Sequence, residues 1–177
     1  MIRENLKFDD IDQQIISLIQ KDPSITHTEI ARHIERSQPT VGIRLKKLQE
    51  KGAFHIQPGV NFKMVNNLSL VKVQINTKNP EKLFKLAQCC PFILNCFRQS
   101  GDYNVSLFMA GPTLDYIDAI INHHFRIDIM TNRVKFEVIV DMAKDFILPI
   151  DLNGQAKHNP VTGNCREKCR FCDTVLE

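Results

Sequence analysis

Tryptophan is absent from this 177-residue sequence and tyrosine occurs only twice, so a core must be built from its 11 Phe and its many Ile, Leu and Val. No apolar run approaches the roughly 18 residues that a bilayer span requires. The opening MIRENLKFDD is charged from Arg3 and lacks the apolar core of a signal peptide, so a cytoplasmic chain is expected. A large excess of one charge is missing too: the net charge is +3. Hydrophobic residues at 43% and charged residues at 24% fit neither intrinsic disorder nor a fibrous repeat. The length is short for most multidomain enzymes, yet sufficient for one large domain or two small ones.

The distribution of charge says more than its total. Residues 1–31 carry Arg3, Lys7 and Lys21 against Glu4, Asp9, Asp10, Asp12, Asp22 and Glu29. Residues 32–51 carry Arg32, Arg36, Arg44, Lys46, Lys47 and Lys51 against Glu35 and Glu50. A basic stretch behind an acidic one suits a nucleic-acid-binding helix, although a solvated helix face gives the same pattern.

Three helices are legible in the first sixty residues. In the first, from about Asp9 to Lys21, Ile11, Ile15, Leu18 and Ile19 form one stripe, and Asp22-Pro23 ends it. The second opens with Thr26 and Glu29 at capping-box spacing and stops near Ile34. The third is capped by Ser37, tolerates Pro39 in its first turn and ends at Gly52. Its inward stripe is Val41, Leu45 and Leu48, which leaves Pro39, Thr40, Ile43, Lys46 and Lys47 on the opposite face. Such a face suits the major groove, with Lys or Arg on phosphate or guanine, Thr and Gln on base edges, and Ile on a thymine methyl. The candidate DNA-binding residues are Ser37, Gln38, Pro39, Thr40, Ile43, Arg44, Lys46 and Lys47. Residues 53–56, Ala-Phe-His-Ile, read as a wing strand.

After a connector over residues 58–67 the periodicity changes. Strands are predicted over 70–76, 92–99, 105–110 and around 134–140, with helices from Pro80 to about Cys90 and from Thr113. The order βαββαβ predicts an α+β, ferredoxin-like sandwich with helices on one face of a four-stranded antiparallel sheet. The strand at 105–110 is apolar on both sides, with Val105, Leu107 and Met109 opposite Phe108 and Ala110. A homodimer through the open sheet face is therefore expected.

A winged helix-turn-helix followed by βαββαβ resembles the Lrp/AsnC, or feast/famine, family of transcriptional regulators. The resemblance is carried by FDDIDQQIISLIQKD, by THTEIARHIERSQPTVGIRLKKLQEKGAF and by SGDYNVSLF, and covers about residues 6–150. It implies double-stranded DNA as partner, homodimers or higher even oligomers, and a small-molecule effector, usually an amino acid, near Gly101, Asp102, Tyr103 and Asn104. Asn104 stands where the family usually has Asp. The same loop also reads as a plain hairpin turn. The implied layout is a DNA-binding domain over 1–57, a linker over 58–67, an effector and dimerisation domain over 68–150, and a linker with cysteine-rich tail over 151–177.

That tail contains NCREKCRFCD, with Cys165, Cys169 and Cys172 spaced C-x3-C-x2-C. Clustered thiols in a reducing compartment point to metal or redox chemistry. The spacing resembles the 4Fe–4S motif of radical S-adenosylmethionine enzymes, but their barrel needs far more chain than the tail supplies. An iron–sulfur cluster is the expected cofactor, with flanking Arg166, Lys168 and Arg170 favouring thiolates. Zinc is the alternative, with His158 or Asp173 as fourth ligand. Other candidates for that position are Cys89, Cys90, Cys96, a partner chain or a small molecule. A dithiol switch and an idle tail remain open.

No enzyme is expected. The enzymatic alternative is a tetrapyrrole (siroheme) decarboxylase of similar architecture, which would need a pocket rich in His and Arg. His123, His124 and Arg126 are the only such cluster in this domain and read as a surface helix end. A third alternative is an interaction protein whose tail merely dimerises.

Overall fold

The computed structural model describes residues 7–162. The chain divides into two compact units, Met1–Gln57 and Pro58–Glu177. Among the described residues, no helix is long and apolar enough to cross a membrane.

The first unit is three helices, α1 (Asp10–Lys21), α2 (His27–His33) and α3 (Gln38–Glu50). Their ends are set locally. Asp9 and Thr26 each close a capping box, with Asp12 and Glu29 as the reciprocal residues, and the Ser37 side chain accepts from the Thr40 amide. Gly52, at φ +65°, forms the left-handed C′ position of α3. Its amide donates to Gln49 O, and that of Ala53 donates to Leu48 O. The turn between α2 and α3 is tighter than its sequence suggests. Glu35 adopts φ +52° there, and the Arg36 amide reaches back to Ala31 O. Ile15, Ile30 and Val41 are fully buried, joined by Ile19, Ala31, Ile34 and Leu45. Each large side chain so buried contributes roughly 1.5–3 kcal/mol. Residues 53–56 correct the sequence reading: they form no strand, and Phe54 packs on the helical core instead.

In the second unit β2 (Ser69–Thr77), α4 (Pro80–Cys89), β3 (Ile93–Arg98), β4 (Val105–Gly111), α5 (Leu114–Ile121) and β5 (Thr131–Val138) follow in the βαββαβ order. The antiparallel sheet runs β3-β4-β2-β5. Val71, Val73 and Ile75 on β2, with Val105, Leu107 and Met109 on β4, pack with residues of α4 and α5 in one core. A π-helical turn, Asn122–Arg126, extends α5 and turns Phe125 and His124 inward.

Three expectations about this unit change. The connector over 58–67 is not a linker: β1 (Val60–Asn61) pairs with β6 (Ile147–Leu148), and Phe62 is buried. These segments cover one end of the sheet's outer face, where Leu70, Ala110 and Phe62 gather Leu94, Phe146 and Leu148. The open face is therefore only partly open. Of the β4 residues, Val105, Leu107 and Met109 are fully buried on the helix side, and Phe108 and Ala110 lie opposite, Ala110 buried under the covering segments. Finally, residues 151–162 are not a linker either. α6 (Leu152–Ala156) buries Gly154 and Gln155, and Pro160 is buried after it.

Candidate nucleic-acid interface and ligand loop

Helix α3 separates its faces cleanly. Val41, Leu45 and Leu48 are buried, whereas Gln38, Pro39, Lys46 and Lys47 are exposed and Ile43 is 69% exposed. An isoleucine left in water on a helix with a satisfied core costs apolar hydration, which an apolar partner such as a thymine methyl would relieve. Lys46 makes one loose pair with Glu50 at 3.8 Å. At the N-terminus, the Ser37 and Thr40 hydroxyls share a hydrogen bond of 2.8 Å, so both serve the cap as well as any outside partner.

Arg44 is engaged within the fold. Its Nη1 donates to Asp12 Oδ1 at 2.9 Å and to Asp9 Oδ2 at 2.5 Å. The two carboxylates raise the guanidinium's pKa, and hydrogen bonding to Arg44 in turn holds the Asp9 carboxyl below its ordinary range. Arg44 thus ties α3 to the N-terminal turn of α1. The basic groups left to the exterior of α3 are Lys46 and Lys47.

The Ser100–Asn104 loop is held by amide side chains. Gly101 takes φ +106°, a conformation that favours glycine. Asn104 Nδ2 donates to Thr77 O at 2.8 Å and its Oδ1 accepts from the Thr77 amide at 3.0 Å. Gln99 Nε2 donates to Tyr103 O at 2.9 Å, and Asn76 Nδ2 donates to Asp102 O. The Arg133 guanidinium lies 5.9 Å from the Tyr103 ring centroid, within cation–π range. Gly101 and Asp102 are exposed, Tyr103 and Asn104 half-buried. The four loop residues thus lie together at one end of the strands, beside Asn76, Gln99 and Arg133. Asn76 and Arg133 carry no sequence signal, because they become neighbours of the loop only through strand register.

Of the three residues named for the enzymatic alternative, His123 lines a surface cleft with Asp115, Asp118 and Asn122, whereas His124 does not line it. His124 is buried, and burial, then the charges of His123 and Lys82, pull its pKa down to about 4. Arg126 donates to Asp118 Oδ1 at 2.9 Å and to Asn122 Oδ1 at 2.7 Å.

Cys165, Cys169 and Cys172 lie outside the described residues. Among the described residues, no group of three or more His, Cys, Asp or Glu side chains could hold a metal. Cys90 is buried, and Cys89 and Cys96 pack against the same core. Burial pushes the Cys96 thiol up to about 11, which disfavours the thiolate that a metal needs.

The chain matches a protein-family model for winged helix-turn-helix DNA-binding over residues 8–53. It is 31% identical over 128 residues to the HTH-type transcriptional regulator LrpA of Pyrococcus horikoshii, an alignment spanning 70% of this chain and 90% of LrpA. Among solved structures it is similar to LrpC of B. subtilis, with TM-score 0.65 and 25% identity over 78% of this chain and 99% of LrpC. It also shares its fold with a transcriptional regulator from Neisseria meningitidis solved as a complex with L-Met, with TM-score 0.67 and 16% identity over 83% of this chain and 98% of that one.

Proposed function

This chain belongs to the Lrp/AsnC family of transcriptional regulators, and on that premise we propose that it is a sequence-specific DNA-binding regulator that reads the major groove through the exposed face of α3. The observation that carries this is the pairing of an outward Ile43 with Lys46 and Lys47 on a helix whose other face is fully used. Lys46 and Lys47 supply phosphate contacts, while Gln38, Thr40 and Ile43 supply base discrimination. Ser37 and Pro39 shape the helix start, and Arg44 positions α3 from behind. Selection of duplexes from a random library tests this reading. Wild type should enrich a two-fold symmetric site, and Ile43→Ala should enrich a different one at the positions it faces. Enrichment of the same sequences by both would remove Ile43 from the readout.

Two-fold sites require a dimer. The outer sheet face keeps Phe97 at 42% exposure, edge-on to Phe108, beside the covered strip of β1 and β6. This apolar pair is the proposed centre of a homodimer or higher even oligomer. The Gly101–Asn104 loop is the proposed effector site. Its support is the backbone geometry at Gly101, the Tyr103–Arg133 pair and the L-Met complex of the Neisseria regulator. Because Asn104 spends both amide atoms on Thr77, an effector would meet Asp102, Tyr103 and backbone groups instead.

Cys165, Cys169 and Cys172 are proposed to hold a metal centre, an iron–sulfur cluster or zinc, whose presence changes DNA affinity. What supports it is the C-x3-C-x2-C spacing within a short basic run. Comparing DNA affinity of anaerobically purified wild type with a triple Cys→Ser variant, alongside metal analysis, tests this part separately.

A further inference from the structure

Lys46 and Lys47 are neighbours in sequence but face different sides of α3. With about 100° of rotation per residue, Ile43 points between them. Lys46 lines a groove with Gly42, Gln49 and His27. Lys47 lines another cleft, on the α1 side of the helix, together with Lys7 and Lys51. Ile43 stands at the rim of that cleft, so the cleft is continuous with the face assigned to base reading.

The charge of this cleft is not explained by helix stability. Its two carboxylates, Asp9 and Asp12, are both bonded to Arg44, and the cleft as a whole stays net positive. Lys7, Lys47 and Lys51 are all exposed, and among the described residues none of the three makes an ion pair or a side-chain hydrogen bond. Lys47 and Lys51 stand at i, i+4 spacing, where like charges repel. The dipole of α3 favours both at its C-terminal end, but not their nearness to Lys7. Lys7 itself precedes the Asp9 cap of α1, at the positive end of that helix, where a cation is disfavoured. Three unpaired cations gathered at the rim of an open face fit an anion with more than one charged group in reach.

We propose that Lys7 and Lys51 act with Lys47 as a clamp on the phosphates of one DNA strand, the strand that borders the major groove on the α1 side of α3. This rests on the reading of α3 as the groove-reading helix given above. A helix seated in the major groove has a phosphate backbone on each side, and side chains flanking its base-reading ridge reach those phosphates. The clamp makes the two flanks unequal. Among the described residues three lysines serve the α1 side, whereas Lys46, loosely paired with Glu50, serves the other. Most of the counterion release on binding therefore comes from one strand. Arg44 stands behind the clamp as a positioning residue. Its bonds to Asp9 and Asp12 hold the first turn of α1, and with it Lys7, against α3. Lys7 thus joins the clamp through tertiary packing, from outside the helix that carries the other two lysines.

The test uses the full chain and a random-sequence duplex, because phosphate contacts do not depend on sequence. Affinity is followed by fluorescence anisotropy across a salt series. Lys7→Ala with Lys51→Ala should lower the slope of log affinity against log salt by roughly 0.9 per lost contact, and weaken binding about tenfold or more at moderate salt. Lys7→Arg with Lys51→Arg should keep the wild-type slope, since each position retains its charge. Both double variants should melt as wild type does, which separates a lost contact from a damaged fold. On duplexes enriched by selection the double-alanine variant should lose the same factor and keep the base preference, unlike Ile43→Ala. A wild-type slope in the double-alanine variant, with a flattened slope for Lys46→Ala with Lys47→Ala, overturns the clamp and leaves the reading of α3 standing. A slope lost equally in the double-arginine variant also overturns the clamp. Wild type whose affinity for duplex DNA does not fall with salt overturns both.

Discussion

Asn104 and Thr77 exchange two hydrogen bonds across 27 residues of sequence, the Asn104 side-chain amide giving one to the Thr77 carbonyl and taking one from the Thr77 amide. The side chain thus continues the ladder between β2 and β4 beyond their last paired residues, Ile75 and Val105. Only an amide fits this role, since the site demands one donor and one acceptor. Asn104→Asp should therefore destabilise the protein by about 1–3 kcal/mol near neutral pH, because a carboxylate would face the Thr77 carbonyl. Urea unfolding at pH 7.5 measures this, and an unchanged midpoint would show that the loop relaxes at no cost.

On α3, the positions separate into two roles that salt can distinguish. Lys46→Ala with Lys47→Ala should lower affinity for all duplexes and flatten the logarithmic salt dependence by roughly one unit per lost phosphate contact. Arg44→Ala should leave that slope unchanged and lower thermal stability, by no more than about 1 kcal/mol because the pair is partly solvated. Fluorescence anisotropy across a salt series separates the two outcomes. A reduced slope for Arg44→Ala would assign it a phosphate contact.

His124 couples the stability of the second unit to pH. Burial, then the charges of His123 and Lys82, hold its pKa at about 4 against an ordinary 6.5. A depressed folded-state pKa means that the stability is fully present above pH 6.5 and is lost as pH falls toward 4, where the unfolded chain takes the proton and the folded one resists it. The loss should total roughly 3 kcal/mol across that window. Unfolding titrations at pH 7.5, 6 and 5 should show the decline, and His124→Phe should remove most of it.

The remaining outer face offers a test of assembly. Phe97 is 42% exposed, so a charge there should be tolerated by the fold. Phe97→Glu should shift the protein to monomers in analytical ultracentrifugation and reduce affinity for a two-half-site duplex far more than for a single half-site. A variant that sediments as wild type does would place the dimer contact elsewhere.

Some of the candidate interface is legible in a single helix. The stripe Val41, Leu45, Leu48 and the cap Ser37 locate α3 and its outward Ile43 without further information. Arg44 is the exception. It lies between the two faces, and its carboxylate partners Asp9 and Asp12 are brought to it only by the packing of α1 on α3. The strand expected at 53–56 is absent for a related reason: Ala53-Phe54-His55-Ile56 carries strand-like composition, but strands need partners, and Phe54 packs on the helical core instead.

What the sequence by itself determined is everything governed by bonds a few residues long. Both capping boxes, the Gly52 stop, the helix-to-strand change of period and the βαββαβ order arise from side chains acting on their own backbone or on neighbours within two turns. What only the tertiary structure decided involves groups that meet through folding. The π-helical turn takes His124 out of water although its sequence reads as a surface helix end. The strip of β1 and β6 covers Leu70 and Ala110 although residues 58–67 read as a linker. Gln155 reaches Ala110 O from a segment with no apolar period at all. In each case the deciding energy is desolvation or a buried hydrogen bond to a distant partner, and neither leaves a periodic trace in the chain.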